Sequence, residues 1–257
     1  MKQISSRDNP LFKELLKLAG SARQRQKSGQ TLLDGVHLLQ ACLAAGRKPQ
    51  HVLLTAAALA DGEVAALLKQ LPGVPLTQLD DRLFAELSEL KTPSGILALI
   101  EQAGPSLAPA QSCFCLLLED IQDPGNLGSM LRSAAAAGCD AAFLSAGCAD
   151  AWSPKVLRAG MGGHFALSIH ESADLLAVAA AFKGRVLAAS LAAKARLYDC
   201  DLRGKLAFAI GNEGAGLSAS LQAASQCITI PMPGKVESLN AAAAAAVCLF
   251  EAARQRS

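Results

Sequence analysis

The sequence predicts an α/β fold in two units, and three observations lead to this prediction. Short apolar runs typical of buried strands alternate with segments whose leucines recur at helical spacing. An uncharged stretch with prolines, glycine and serines, Gly104 to Ser112, separates the front part of the chain from the rest. The apolar runs after it are continuous, as in parallel strands buried on both faces. We therefore expect an α/β domain at 1–104, a linker at 105–112 and a second domain at 113–257.

The front unit is predicted to alternate helices with short strands. Asn9-Pro10 predicts a helix start, because proline is preorganised for the first helical turn. The basic cluster from Arg23 to Gly29 predicts a loop or a frayed helix end. The spacing of Leu32, Val36, Leu39 and Leu43 predicts a second helix that ends near Gly46. The remaining elements are strands at 51–55, 74–79 and 95–101, a helix over 56–70 and a helix that Asp80 caps.

The second unit is predicted to begin with a strand at 113–119, followed by a turn in which Asn126 caps the next helix. Arg132 then lies in the second turn of a helix that starts beside a strand's carboxyl end, where ligands bind in open α/β sheets. A solvent-exposed arginine is the alternative interpretation. Further strands are expected at 141–146, 165–169, 185–190, 206–210 and 227–230, and helices from Ser153-Pro154, over 172–182 and through the alanine-rich chain end.

Two glycine-bearing loops follow two of these strands. The first contains Gly211, Gly214 and Gly216 around one carboxylate, Glu213, and the second runs over 230–240. Two irregular loops at the ends of buried strands predict a pocket. The glycine spacing is neither a P-loop nor a dinucleotide fingerprint, which makes a nicotinamide-dependent enzyme a weak alternative. Glu213 has an alternative structural interpretation, the capping of backbone amides.

The charge and cysteine patterns restrict the possible partners. Residues 1–50 hold nine Lys or Arg and three acids, a net charge of 9 − 3 = +6, which predicts either a polyanion partner or a solvated charged helix. Eight scattered cysteines without a CxxC pair predict small buried hydrophobes of a reducing compartment, with neither disulfides nor metal. The polar N-terminus and the absence of an apolar run of about 20 residues argue against secretion and a membrane span. We expect a cytoplasmic protein.

Three blocks of the sequence resemble the SpoU, or TrmH-like, branch of the SPOUT RNA methyltransferases. They are Asp123–Gly138, Ile210–Gly216 and Ile230–Asn240; they occur in the family's order and cover about residues 113–257. The front unit is similar to the family's substrate-binding domain at Ser6–Pro10, Leu33–Gly35 and Lys91–Ala98. The resemblance implies a SPOUT domain, mostly a parallel sheet with a C-terminal trefoil knot, behind a small α/β RNA-binding domain.

The resemblance also implies an activity. S-adenosylmethionine would be the methyl donor, a ribose 2′-hydroxyl the acceptor and a homodimer the working form. Ribosomal RNA is the favoured substrate, with Arg23, Arg25 and Lys27 as candidate RNA contacts. Transfer RNA is an alternative substrate, and a non-catalytic RNA-binding or assembly factor on the same fold is an alternative function.

Two groups of site residues follow from the resemblance. The adenosyl pocket would be lined by Gly211, Ile230, Leu239, Met232 and Ser190. The reacting region would contain Asn126, Arg132, Glu213, Ser238 and Asn240. Arg132 matches the family's proposed catalytic residue. Because an arginine is effectively always protonated, we expect it either to hold an RNA phosphate and stabilise the reacting oxygen, or to act as a base only after a phosphate takes its proton.

Overall fold

The structure is a computed structural model that describes residues 1–90 and 92–257. Lys91, part of one segment used above, lies outside the described residues. The chain divides into two compact units, the first formed by Met1–Gln102 with Trp152–Phe165 and the second by Ala103–Ala151 with Ala166–Ser257. The predicted α/β class, with a parallel sheet that follows a front α/β unit, is confirmed. The segment Trp152–Phe165, which the predicted boundaries assign to the second domain, groups with the first unit.

The first unit contains a mixed five-stranded sheet in the order β1-β4-β3-β5-β2, with β5 antiparallel to β2 and β3. Its strands are β1 (Lys2–Ile4), β2 (Gln30–Asp34), β3 (His51–Leu54), β4 (Leu76–Leu79) and β5 (Ile96–Glu101). Its first five helices are α1 (Pro10–Gly20), α2 (Ala22–Ser28), α3 (Val36–Ala44), α4 (Gly62–Leu68) and α5 (Asp81–Leu87). One core joins helices and sheet through residues such as Phe12, Leu53 and Phe84.

Helix starts in this unit follow the sequence signals. The Asn9 side chain accepts a hydrogen bond from the Leu11 N–H at 3.0 Å, and Asp80 accepts one from the Arg82 N–H at 3.0 Å. Both side chains satisfy backbone donors that the first helical turn leaves unpaired. The predicted starts of α1 and α5 are therefore confirmed.

Two predictions for this unit were wrong, and a strand, β1, was not predicted. The basic cluster after Ser21 forms helix α2, which Ser21 caps and which Gly29 ends in a left-handed conformation. Leu32 lies in strand β2, and helix α3 begins only at Val36. The buried strand β2 is followed almost directly by α3. The apolar residues of the two elements together have the spacing of one continuous helix.

The second unit contains a seven-stranded sheet in the order β10-β12-β9-β11-β6-β7-β8, in which every neighbouring pair is parallel. Every residue of β6 and β11 is buried, as continuous apolar runs predict. The strands are β6 (Phe114–Leu118), β7 (Ala141–Leu144), β8 (Ser168–His170), β9 (Arg185–Ala189), β10 (Ala195–Arg196), β11 (Leu206–Ile210) and β12 (Gln226–Thr229). The two-residue strand β10 was not predicted.

The remaining helices are α6 (Pro124–Ala136), α7 (Pro154–Gly160), α8 (Leu175–Ala181), α9 (Ala219–Ala223) and α10 (Ala241–Arg256). Helix α7 belongs to the first unit and starts after Ser153 as predicted, α9 was not predicted, and α10 packs against α6. The cap predicted for α6 was wrong. The Asp123 side chain caps this helix by accepting from the Asn126 N–H at 2.7 Å, so the Asn126 side chain is available for another partner.

All eight cysteines are free thiols, and Cys42, Cys115, Cys139 and Cys248 are buried. Burial raises the pKa of the Cys115 and Cys139 thiols strongly and that of Cys248 to about 12, so these groups are protonated and contribute packing. Cys113 is exposed, contrary to the predicted burial. No helix within residues 1–90 and 92–257 has the length and apolar character that a membrane span requires.

Candidate active site

A cavity of about 370 Å³ opens at the carboxyl ends of β9, β11 and β12. Its walls are the segments that follow these three strands, together with the first turns of α10. This volume lies within the range of about 300–1,000 Å³ that is typical of small-molecule pockets. A pocket at this edge of a parallel sheet agrees with the general placement of ligands in open α/β folds.

The structure brings the predicted cofactor residues together around this cavity. It is lined by Gly211, Ile230, Leu239, Met232 and Ser190. Among these, Leu239 keeps 39% of its surface exposed, so the second glycine loop offers apolar surface at the cavity wall. Contact with a cofactor stays a prediction for all five residues.

Gly211 is required by the loop's own backbone. A Cβ atom at this position would lie 2.3 Å from the Gly216 carbonyl carbon and 2.5 Å from the Leu217 nitrogen. Real side chains essentially never approach backbone so closely, so a larger residue would force the loop apart. Gly216 adopts φ 68, a left-handed conformation that glycine tolerates without steric cost. The glycines thus allow the loop to fold back on itself.

Three residues of the predicted reacting region form a continuous hydrogen-bonded series. The Asn126 Nδ2 group donates to Glu213 Oε1, and the Asn240 Nδ2 group donates to Asn126 Oδ1 at 3.1 Å. The Asn240 Oδ1 atom also accepts from the Ala242 and Ala243 N–H groups and so caps α10. Because the three residues come from three separate segments, the series fixes the starts of α6 and α10 relative to the first glycine loop.

Glu213 connects this series to the cavity, because it also lines the cavity wall. Ser238, another predicted residue of the reacting region, lines the same cavity. Glu213 is exposed apart from its contact with Asn126, so its carboxylate can accept a further hydrogen bond. The alternative in which Glu213 caps backbone amides differs from what the structure shows. The amides of Gly214 and Ala215 donate instead to Asn212 Oδ1, at 2.8 and 3.1 Å.

Arg132 is separate from the other predicted reacting residues. Its side chain is exposed and makes no hydrogen bond or ion pair with any described residue. Six positions separate it from Asn126 along α6, so the two side chains project about 120° apart around the helix axis. Arg132 therefore has no partner among the described residues and is available to a ligand outside this chain.

The basic residues of α2 differ in their surroundings. Arg23 and Lys27 are exposed, but Arg25 is only 5% exposed and donates from Nη1 to the carbonyls of Leu18 and Ala19. Arg25 thus satisfies the last turn of α1. The structure contradicts the prediction that Arg25 is accessible to RNA. Helical spacing places residue 25 toward the core and residues 23 and 27 outward. This signal was missed because the segment was predicted to be a loop or a frayed helix end.

Several cavity residues were not predicted, among them Gln222 and Thr229. Gln222 Nε2 donates to the Leu217 carbonyl at 2.8 Å, and Gln222 Oε1 accepts from the Ser190 hydroxyl at 3.4 Å, so this side chain joins two walls. Thr229 lines the cavity at the end of β12. Thr229 directly precedes the second glycine loop, and this position in the sequence could have identified it as a cavity residue. Gln222 lies in α9, a helix that the sequence did not predict, and no pattern singles it out.

Comparison with known proteins places these features in a family. The model of the SpoU rRNA Methylase family matches residues 113–250, and that of the MRM3-like substrate binding domain matches residues 1–98. An uncharacterized tRNA/rRNA methyltransferase of Synechocystis is 36% identical, over 98% of this chain and 94% of that protein. The 23S rRNA (guanosine(2553)-2′-O)-methyltransferase RlmP of Bacillus subtilis is 32% identical, over 97% and 98%.

A solved structure agrees with these relatives. The crystal structure of an AdoMet-bound rRNA methyltransferase from Sinorhizobium meliloti superposes with a TM-score of 0.83 at 26% identity. The match covers 98% of this chain and 97% of that one. The similarity therefore extends over both units and includes a relative whose crystal structure contains the methyl donor.

Proposed function

Because this chain belongs to the SpoU rRNA methylase family, we propose that it transfers the methyl group of S-adenosylmethionine to a ribose 2′-hydroxyl of ribosomal RNA. The predicted family, enzyme class and cofactor are confirmed by relatives that match nearly the whole chain. The observation that carries the proposal is the hydrogen-bonded series Glu213–Asn126–Asn240, of which Glu213 lines a ligand-sized cavity.

The residues of the cavity suit S-adenosylmethionine. Ile210, Ile230 and Leu239 offer apolar surface for an adenine ring, and the hydroxyl groups of Ser190 and Thr229 offer partners for its polar groups. S-adenosylmethionine, when bound, supplies an electrophilic methyl group on a positively charged sulfur. We assign the predicted cofactor residues to this cavity on the strength of their position in its walls.

The chain's part in the reaction is to orient the ribose hydroxyl and to stabilise its oxygen. The bond between O2′ and the methyl carbon forms as the carbon–sulfur bond breaks, which leaves S-adenosylhomocysteine, and the hydroxyl releases its proton to water. Glu213 lies on the cavity wall and is held by Asn126, so its carboxylate is placed to accept the hydrogen bond of the incoming hydroxyl. Holding reactants in line supplies a large part of the rate of such transfers.

Arg132 acts on the RNA. Its guanidinium is exposed, without a partner in the described chain and permanently charged, which suits contact with a phosphate next to the reacting ribose. A positive charge there stabilises negative charge that develops on O2′ as its proton leaves. A protonated guanidinium has no lone pair for a proton, so we assign charge stabilisation to Arg132 and not general base catalysis.

Ribosomal RNA is proposed because the RlmP relative is named for 23S rRNA and because the front unit matches a substrate-binding domain. Exposed Arg23 and Lys27 on α2 give this unit cationic contacts for the RNA backbone. Arg25 is not included, since it is buried in the unit's own structure.

We also infer a trefoil knot and a homodimer. After β12, which lies beside β9 on the side away from β11, the chain returns past β9 to pack α10 on β11 and α6. This return path supports the knot. Phe250 on α10 is 50% exposed beside a run of small alanines, which supports a close packing of this helix against a second copy.

A cytoplasmic location is the last part of the proposal. Buried Cys42, Cys115, Cys139 and Cys248 are free thiols, and free thiols persist in a reducing compartment.

Labelled methyl transfer tests the proposed function. The purified full chain is incubated with S-adenosylmethionine labelled on the methyl group and with ribosomal or transfer RNA from cells that lack the gene. After digestion to nucleosides, we expect the label in a 2′-O-methylnucleoside derived from ribosomal RNA. Label found only in transfer RNA would contradict the substrate, and label on a base would contradict the reaction.

A further inference from the structure

Asn212, the neighbour of Glu213, connects two loops of the site through both ends of its side chain. We propose that Asn212 is a positioning residue for methyl transfer, which fixes the backbone of Glu213 and is itself held by Asp120 and, through Asp120, by Ser145. This inference rests on the proposed function, because it concerns the placement of a group in that reaction.

The side chain of Asn212 determines the shape of the first glycine loop. Asn212 Oδ1 accepts hydrogen bonds from the N–H groups of Gly214 and Ala215, at 2.8 and 3.1 Å. These two amides directly follow Glu213, so Glu213 lies at the tip of a tight asparagine turn. The Asn212 carbonyl also accepts from the Gly216 N–H at 2.9 Å, which closes the loop. The backbone on both sides of Glu213 is thus fixed by Asn212.

The other end of the Asn212 side chain forms a hydrogen bond to a second loop. Asn212 Nδ2 donates to the backbone carbonyl of Asp120 at 3.0 Å, across the ends of β11 and β6. Within the described residues, this bond joins the turn that carries Glu213 to the segment that leads into α6. Since α6 provides Asn126, the partner of Glu213, the bond holds both ends of the Asn126–Glu213 pair in register.

The backbone of Asp120 has an unusual conformation. Asp120 has φ 55, in the left-handed region that non-glycine residues seldom adopt. Ser145 Oγ accepts from the Asp120 N–H at 2.9 Å and donates to Asp120 Oδ1 at 2.7 Å, which holds the residue there. At Gly147 a Cβ atom would lie 2.1 Å from Asp120 Oδ1, so the absence of a side chain leaves room for this carboxylate. Strained residues of this kind are held by their surroundings and cluster at functional sites.

These bonds form one path from the end of β7 to the reacting region. Ser145 fixes the conformation of Asp120, and the Asp120 carbonyl binds the Asn212 side chain. Asn212 in turn fixes the backbone around Glu213. A displacement at any of these points therefore moves the Glu213 carboxylate. Loss of about 1 Å of alignment can reduce the rate of a transfer reaction by about 100-fold, so a small displacement is sufficient to lower turnover.

The variant Asn212→Asp separates the bond between loops from the local turn. Aspartate keeps an Oδ1 acceptor for Gly214 and Ala215, but it places an oxygen where the Nδ2 donor faces the Asp120 carbonyl. We expect kcat for transfer of labelled methyl to ribosomal RNA to fall by about tenfold, with the Kd for S-adenosylmethionine changed by less than about twofold. Gln111→Glu is the charge-matched control, since Gln111 Oε1 only accepts from the Ala108 N–H in the linker.

Ser145→Ala removes the hydroxyl that holds Asp120, at the opposite end of the same series of hydrogen bonds, and adds no charge. We expect this variant to lower kcat in the same direction and to leave the Kd for S-adenosylmethionine unchanged. Because both substitutions disturb one path, the double variant should be less impaired than the product of the two single effects predicts. Equal melting temperatures of the variants, measured with S-adenosylmethionine present, show that the chain remains folded.

The outcomes separate this inference from the proposed function. Failure of the unmodified chain to methylate RNA would overturn the proposed function. An active unmodified chain whose Asn212→Asp variant keeps its kcat would overturn only the positioning role. A parallel weakening of S-adenosylmethionine binding and kcat would also overturn it, because Asn212 would then shape the cofactor cavity. Independent effects of the two substitutions would contradict the shared path.

Discussion

The side-chain amide of Asn126 donates a hydrogen bond to the carboxylate of Glu213, a residue 87 positions later in the chain. This bond joins the start of α6 to the glycine loop after β11, and Asn240 extends it to the start of α10. Glu213 also lines the cavity, so the pair joins the cavity wall to α6 and is the centre of the proposed site.

The first prediction concerns Glu213. Glu213→Gln keeps the size of the side chain and an oxygen that can accept from Asn126, but it removes the negative charge. If the carboxylate orients the ribose hydroxyl, kcat should fall by about 10–100-fold, while the Kd for S-adenosylmethionine stays within about twofold. Single-turnover methyl transfer and calorimetric titration measure the two quantities. Full turnover by this variant would show that the charge of Glu213 is unnecessary.

The second prediction concerns Arg132. Arg132→Ala should leave S-adenosylmethionine affinity nearly intact and lower kcat by about 100–1,000-fold, because the charge that stabilises the reacting oxygen is lost. Arg132→Lys keeps a positive charge without the planar guanidinium. Substantial activity of the lysine variant would support charge stabilisation, whereas near-normal turnover of the alanine variant on its proper RNA would refute a catalytic role.

The third prediction concerns Gly211. Gly211→Ala places a Cβ against the backbone of Gly216 and should weaken S-adenosylmethionine binding, because the loop that forms one cavity wall must open. Gly234→Ala is the matched control in the other glycine loop, since its added Cβ meets no atom within 4 Å. Calorimetric titration of both variants measures the difference. Equal affinities would contradict the structural requirement for glycine at position 211.

The fourth prediction separates the basic residues of α2. The double variant Arg23→Ala, Lys27→Ala should weaken RNA binding and lower its salt dependence, because each lost phosphate contact reduces the number of released counterions. Arg25→Ala should instead lower the free energy of unfolding by about 1.5–3 kcal/mol, since its charged hydrogen bonds to the end of α1 are lost. A flat salt response of the unmodified chain would argue against phosphate contacts in this helix.

Much of the fold was predictable because apolar periodicity and helix caps are local signals. Strand β11 was predicted with its observed limits, and Asn9, Asp80 and Ser153 marked helix starts correctly. The errors occurred where local signals overlap. Leu32 belongs to a strand that runs directly into a helix, and the polar segment with Arg25 lacks the apolar spacing that marks a helix.

The site was less accessible to local reasoning. The glycine loops predicted a pocket, and the resemblance supplied ten residues, but the contacts of Asn126 depend on segments that are distant in sequence. The bond from Asn212 to the Asp120 carbonyl was not predictable, because the position of that carbonyl depends on the conformation of Asp120. No residue pattern encodes such a bond, since every residue type offers the same carbonyl.

The central claim is that this chain methylates a ribose 2′-hydroxyl of ribosomal RNA, and mapping of 2′-O-methyl groups across total RNA tests it most directly. Cells that lack the gene are compared with the same cells complemented by the unmodified chain or by Arg132→Ala. We predict that a specific 2′-O-methyl group in ribosomal RNA disappears without the gene and returns only with the unmodified chain. An unchanged methylation pattern, or full restoration by Arg132→Ala, would contradict the account.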